Sequence, residues 1–210
     1  LFENIYGSQH GLYLGSSSVS VSDFVIRQEP SPINLVDHPN NGYMKENIGE
    51  SVNSRWGEIS PKVSSDGQKL FICRAGHPRN LGGPESDQDA WVARRISETE
   101  WAPIENIGEP VNDTKQNAVA SVSSDQNTLL LNYDGRDDPG LMRTVRTSSG
   151  WSEPERVIIE NFYNYNKDAE FALAPNGKVL VYSVEREDTR GEKDLYVSFL
   201  RPDGTWSAPK

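Results

Sequence analysis

Short apolar runs, each four to six residues long and broken by Gly, Pro, Asn or Asp, recur along the chain from about residue 45 onward. Val63-Ser-Ser-Asp-Gly-Gln-Lys-Leu-Phe-Ile-Cys73, Val122-Ser-Ser-Asp-Gln-Asn-Thr-Leu-Leu-Leu-Asn132 and Leu173-Ala-Pro-Asn-Gly-Lys-Val-Leu-Val-Tyr-Ser183 share one register. Each has a polar turn between two β-prone stretches. Asp66-Gly67 and Asn176-Gly177 are strong hairpin signals, because Gly and Asn tolerate the positive φ that tight turns require. Asp125-Gln-Asn127 keeps the polar turn without a glycine. No window sustains the i, i+3, i+4, i+7 apolar spacing of a helix, and Pro or Gly interrupts most windows.

The repeat extends on both sides of these hairpins. Upstream, Asn47-Ile-Gly-Glu-Ser-Val-Asn53 recurs as Asn106-Ile-Gly-Glu-Pro-Val-Asn112, with a degenerate third match at Asn161-Phe-Tyr-Asn-Tyr-Asn166. Downstream comes a further apolar run: Asp89-Ala-Trp-Val-Ala-Arg-Arg95, Leu141-Met-Arg-Thr-Val-Arg146 and Asp194-Leu-Tyr-Val-Ser-Phe199. Each copy closes on a tryptophan, at Trp101-Ala-Pro103, Trp151-Ser-Glu-Pro154 and Trp206-Ser-Ala-Pro209. One copy thus reads as strand, tight turn, strand, longer loop, strand, Gly/Trp turn, strand. This is a four-stranded antiparallel meander, the unit of a β-propeller blade. The predicted fold class is all-β, with three blades at about 45–104, 105–159 and 160–210. Leu70, Ile72, Leu129, Leu131, Leu180 and Tyr182 are the candidate core, and strand starts are expected near 58, 117 and 168.

The pattern resembles the TolB-like, WD-type propeller repeat of TolB, of OmpA-family envelope proteins and of some peptidase propellers. The resemblance rests on Ser65-Asp66-Gly67 with Leu70 and Phe71, on Asp89 and Asp194 opening the third strand, and on the Trp-x-x-Pro closings. The second copy departs from it, lacking the turn Gly and the Asp before Leu141. A closed ring takes about four to eight blades, so the chain reads as a segment of a longer protein with further blades after residue 210. Gly11-Leu-Tyr-Leu-Gly15 and Val19-Ser-Val-Ser-Asp-Phe-Val-Ile26 read as an alternating hairpin within 1–30 that resembles the end of a concanavalin-like jelly roll; the alternative is a closing strand that pairs with the ring. Residues 31–44, rich in Pro and Asn, read as a linker.

Composition narrows the function. With 21 basic and 31 acidic residues the net charge is −10, and the basic residues are scattered, so a nucleic-acid partner is excluded as an expectation. One cysteine, Cys73, allows neither an intrachain disulfide nor a thiolate metal site. No apolar run is long enough for a transmembrane segment. His10, His38 and His77 have no ligand partner at metal spacing, and no Ser, His and Asp set can be picked out, so no catalytic residue is assigned. Asp134-Gly-Arg-Asp-Asp138 and Asp87-Gln-Asp89 could offer oxygens to Ca²⁺ but lack the alternation of a calcium loop, and no cofactor is expected. Asn112-Asp-Thr114 fits a glycosylation sequon.

Trp101, Trp151 and Trp206 recur at one blade position, which suits packing between blades. Trp56 precedes the first innermost strand, and Glu58, Asn117 and Asp168 take equivalent places at the starts of the three innermost strands. In a propeller these ends surround the channel mouth, which makes the four residues the candidate binding positions. The expected function is a non-enzymatic module of a periplasmic, cell-surface or secreted protein that binds a protein or glycan. The alternatives are the propeller of a polysaccharide-active hydrolase or lyase or of a peptidase, and a structural shell component of a larger assembly.

Overall fold

The structure is a computed structural model that describes residues 46–85, 88–133, 140–166 and 168–210. The hairpin expected over 1–30, the linker over 31–44, His10, His38, Asp87 and the acidic run Asp134 to Asp138 lie outside the described residues. The described part is all-β, and its one helical element is a single 3-10 turn at Gly83–Glu85.

Three antiparallel sheets follow one another along the chain. The first is β1 (Gly57–Val63), β2 (Lys69–Ala75), β3 (Gln88–Arg94) and β4 (Glu105–Asn106), hydrogen-bonded in that order. The second comprises β5 (Asn117–Val122), β6 (Thr128–Tyr133) and β7 (Gly140–Thr147), with the short β8 (Gly150–Trp151) and β9 (Glu155–Arg156) both paired to β7. The third is β10 (Glu170–Leu173), β11 (Val179–Val184) and β12 (Asp194–Phe199). Along its outer side Lys210 exchanges two backbone hydrogen bonds with Val197 (3.0 and 3.1 Å), in the place where a fourth strand belongs. These are propeller blades.

The first strands begin at 57, 117 and 170, so the third starts two residues later than its repeat position. There the Asn166 side chain accepts the Asp168 N–H at 3.1 Å and Asn164 donates to the Asp168 carbonyl at 3.2 Å, which turns the chain before it can extend. β1 and β5 each carry a one-residue register shift against their partners, and β10 pairs without one.

The hairpin turns share one design. Ser64 Oγ donates to Asp66 at 2.6 Å and accepts the Lys69 N–H at 2.9 Å; Ser123 does the same with Asp125 and Thr128 (2.5 and 2.9 Å). Gly67, Gln126 and Gly177 occupy the equivalent left-handed position, with φ of 70°, 59° and 66°. The second copy therefore makes the same turn without its glycine, a conformation that non-glycine residues adopt at a cost. Neighbouring turns are also joined. Ser65 Oγ donates to the Ser124 carbonyl and Ser124 Oγ to the Pro175 carbonyl, both at 2.8 Å, and Gln126 Nε2 reaches back to Asp66 Oδ2 at 2.6 Å.

Alternation along each strand sends side chains to opposite faces. Leu70, Ile72 and Trp91 face Val52 and Ile104 on one side of the first sheet. Phe71 and Ala90 face Val119, Leu129 and Leu131 of the second. Leu130, Ala120 and Leu141 in turn meet Leu180, Tyr182 and Trp206 of the third. All six expected core residues are buried, and all lie on the same face of their sheets; the opposite face, with Phe71 and Leu130, is equally buried. In the third sheet that opposite face is open, leaving Val181, Phe199 and Leu195 at 37%, 43% and 76% exposure.

The repeated asparagine motif closes the turn that leads into each blade. Asn47 Oδ1 accepts the Gly49 N–H and the Asn53 side-chain amide (2.8 and 2.7 Å), and Asn106 Oδ1 accepts Gly108 N–H and the Asn112 amide at the same distances. The match at Asn161 to Asn166 does not hold this geometry. β9 takes the position of β4, so the third leading turn comes earlier, at Ile159 to Phe162.

Candidate functional site

β5 packs beside both β1 and β10, and the far ends of the three strands are tied through the turn serines. Their starts therefore share the opposite side, where Trp56, Glu58, Asn117 and Asp168 lie.

Trp56 is half-buried, and its backbone N–H is held by Ser54 Oγ at 3.1 Å. The Arg55 guanidinium lies 4.6 Å over its ring. The ring meets His77 edge-on at 4.4 Å between centroids, and His77 meets Trp91 edge-on at 4.6 Å. Trp91 is fully buried, with Arg74 and Arg79 over it at 4.8 and 5.0 Å and its indole N–H on Asn80 Oδ1 at 3.1 Å. The result is a run of three rings meeting edge-on, with arginines over the outer two, each contact favourable through the ring quadrupole. Burial, reinforced by Arg74 and Arg79, pulls the His77 pKa below its ordinary value, so the imidazole at its centre is neutral at pH 7. Its Nδ1 accepts the Arg79 N–H at 3.1 Å.

Glu58 faces Arg74 across the strand pair, with Oε1 3.3 Å from Nε, and accepts the Ser54 hydroxyl. Arg74 also donates to the Val52 carbonyl at 2.6 Å. Burial lowers its pKa while Glu58 pulls it back up. Glu58 thus serves as the counter-ion of a buried arginine. Asn117 is spent on Asp113, accepting its N–H at 2.8 Å and donating to its carboxylate at 3.1 Å, and it lines a cavity of about 450 Å³ with Lys115, Asn132 and Met142. Asp168 is exposed, with its backbone held by Asn164 and Asn166. Glu58 and Asn117 are thus engaged by neighbours in their own blades, and Asp168 is held through its backbone.

One cluster carries no signal in the repeat pattern alone, and one repeat landmark is a buried carboxylate. Near the start of the third sheet, Arg186 stacks 3.9 Å over Tyr163 and 5.3 Å from Tyr196, whose hydroxyl donates to Asp188 at 2.8 Å. Tyr165 leans on Tyr163 at 5.3 Å and is 66% exposed. Both tyrosines fall in the stretch that matches the asparagine motif, which masks them as repeat residues. In the first sheet, fully buried Asp89 accepts the Leu81 N–H at 2.7 Å and the Asn106 amide at 2.6 Å through one oxygen; the other has no partner, and burial raises its pKa. Opening the third strand is a structural task for this carboxylate.

Among the described residues no group of three or more His, Cys, Asp or Glu is placed to hold a metal. Cys73 is buried, and burial pushes its thiol up to about 11, far from a reactive thiolate. Asn112 of the sequon is buried, its amide donating to the Ala90 carbonyl and to Asn106 and accepting the Ala90 N–H, which leaves no route to a glycan in the folded chain. No described helix is long and apolar enough to cross a membrane.

No protein-family model matches the chain, and no curated protein matches it. Among solved structures, the crystal structure of TolB from Acinetobacter baumannii is similar, with a TM-score of 0.50 and 18% sequence identity. The likeness covers 74% of this chain and 33% of that one, so the chain spans about a third of the TolB it matches. Together with the blade geometry, it shows a TolB-like propeller fold.

Proposed function

We propose that this chain is the propeller portion of a non-enzymatic binding protein of the cell envelope or of a secreted protein, and that it holds a protein or glycan partner at the mouth where the first strands begin. The observation that carries this reading is the pair of aromatic platforms at the starts of the first and third sheets. Tyr165 is exposed and Trp56 half-buried, and each belongs to a ring cluster stiffened by arginine. Trp, Tyr and Arg are the residue types that most often anchor interfaces, and a ring already fixed in place loses little freedom on binding. Under the same reading the three blades span about 45–104, 105–159 and 160–210, after a jelly-roll end over 1–30 and a linker over 31–44. Further blades of the same repeat cover the open face of the third sheet.

The test is selection of ligands from a glycan array and a displayed-peptide library, with the whole 210-residue chain as bait. Ligands retained by the parent should be lost by Trp56→Ala with Tyr165→Ala, and retained by a Ser65→Ala control on the opposite face. Equal binding to the parent and the double variant would place the site elsewhere and end this reading.

A further inference from the structure

The two seams between adjacent sheets differ on the side of the hairpin turns, and the difference opens a cleft. At the first seam Gln126 reaches from the second turn to Asp66 of the first. At the second seam the equivalent residue is Gly177, which has no side chain to send back to Asp125, and a Cβ built on it meets nothing within 4 Å. Two further exchanges act in the same direction, and a third changes the chemistry of the seam. Leu130 replaces Phe71, Thr128 replaces Lys69, and Arg143 replaces Val92 as the cross-strand partner of the residue at the Phe71 position. The first two remove volume, and the last brings a guanidinium. The resulting cleft of about 400 Å³ has Leu130, Leu173 and Trp206 as its apolar lining, with Arg143, Asp125 and the Ser124 and Gly177 turns around them.

We propose that this cleft is a second binding site, one that takes an apolar group bearing a terminal carboxylate, such as the last residue of a peptide chain ending in leucine. The apolar lining receives the side chain. Arg143 receives the carboxylate; its guanidinium is half exposed and among the described residues is paired with the exposed Glu155 alone, at 3.4 Å, so planar donors remain for a bidentate partner. Asp125 is kept ionised by the Ser123 hydroxyl and the Asn127 N–H, which hold its carboxyl below the ordinary range, and it offers an acceptor for the amide N–H beside the carboxylate. One cation and one anion on the rim suit a monoanion with an N–H donor; a dianion such as phosphate meets repulsion from Asp125. The volume falls within the range of small-ligand pockets, toward its lower end. The site lies on the opposite side of the sheets from Trp56 and Tyr165, so it stands or falls independently of the mouth.

The experiment titrates the 210-residue chain calorimetrically with N-acetyl-Gly-Ser-Gly-Ser-Gly-Leu as the free acid, with its C-terminal amide, and with N-acetyl-leucine. The free acid is expected to bind, with the amide weaker by about tenfold or more, the equivalent of about 1.4 kcal/mol. Arg143→Gln should weaken the free acid similarly while leaving the fold intact, because the pair it removes is solvent-exposed. Gly177→Gln is the sharper variant. Gln126 already holds φ 59° at the equivalent position, so glutamine at 177 fits the turn at the modest cost of a left-handed side-chain residue, and it should bridge to Asp125, close the cleft and abolish binding while the chain stays folded. Tighter binding of the peptide than of N-acetyl-leucine identifies a chain end as the ligand; equal binding identifies a small free carboxylate. No binding of either acid, equal binding of acid and amide, or indifference to both Arg143→Gln and a stably folded Gly177→Gln overturns the proposal.

Discussion

The Ser65 hydroxyl donates to the backbone carbonyl of Ser124, one blade further on, and Ser124 repeats the gesture toward Pro175. The bond couples turns that local sequence already specifies, so it acts on the spacing between sheets and not on the turns themselves. Ser65→Ala and Ser124→Ala should each lower stability by about 0.5 kcal/mol, the low end for a solvent-exposed hydrogen bond, with no change in ligand selection at the mouth. Urea midpoints of the two variants check this. A loss above about 2 kcal/mol would mean the hydroxyls also support the turns.

The Arg74 and Glu58 pair is the costliest contact to break on one side only. Arg74→Met leaves Glu58 mostly shielded from water without its counter-ion and should cost about 3 kcal/mol, whereas Arg74→Met with Glu58→Met should recover most of that loss. A double-mutant cycle in urea gives the coupling directly. Additive single losses would show that the ion pair is decorative.

Hydrogen bonds from the Ser64 hydroxyl, the Gln68 N–H and the Gln126 amide hold the Asp66 carboxyl at about 2, against an ordinary value of 3.8. Because the folded value lies below the unfolded one, the unfolded chain binds the proton more readily in this window. The contribution of Asp66 is therefore complete above about pH 4 and is lost as pH falls toward 2. Asp66→Asn should flatten that acid limb of the stability curve and leave the region above pH 5 without slope change. Denaturation midpoints collected from pH 2 to 6, beside an NMR titration of the carboxyl, decide it.

The open face of the third sheet predicts association. Val181 takes the place that Phe71 and Leu130 hold in the other sheets, where both are buried. A few hundred Å² of such surface represents several kcal/mol at about 25 cal/mol per Å². A polypeptide limited to these 210 residues should self-associate at micromolar concentration, and Leu195→Lys with Val181→Lys should return it to a monomer. Light scattering after size exclusion reads the outcome, and a monodisperse parent monomer would refute it.

The sheets were legible because Ser64 to Gly67 and its counterparts fix turns between apolar runs in a common register. Six core residues could be named for the same reason. Phe71 and Leu130 escaped the candidate core because strands buried on both faces read as unbroken apolar runs, and nothing local says which side meets which sheet. At the mouth, Glu58 could be placed on its strand but not paired, since its partnership with Arg74 exists only through the register of β1 against β2. Tyr163 and Tyr165 were hidden by a chance likeness to the asparagine motif. The second turn kept its shape without glycine because Gln126 gains a bond to Asp66 where Gly67 merely relaxes.

The serine ladder joins equivalent positions that are 59 residues apart across the first seam and 51 across the second. It works as a phase gauge: the turn side is clamped to one spacing while the length of each repeat is free to drift on the other side, in connections such as 76–87 and 185–193 between the second and third strands. Variation is thereby channelled into the loops that border the mouth. Loop grafts at those two connections can diversify the mouth with the ladder left untouched, making this half of the molecule the natural place to engineer new specificities.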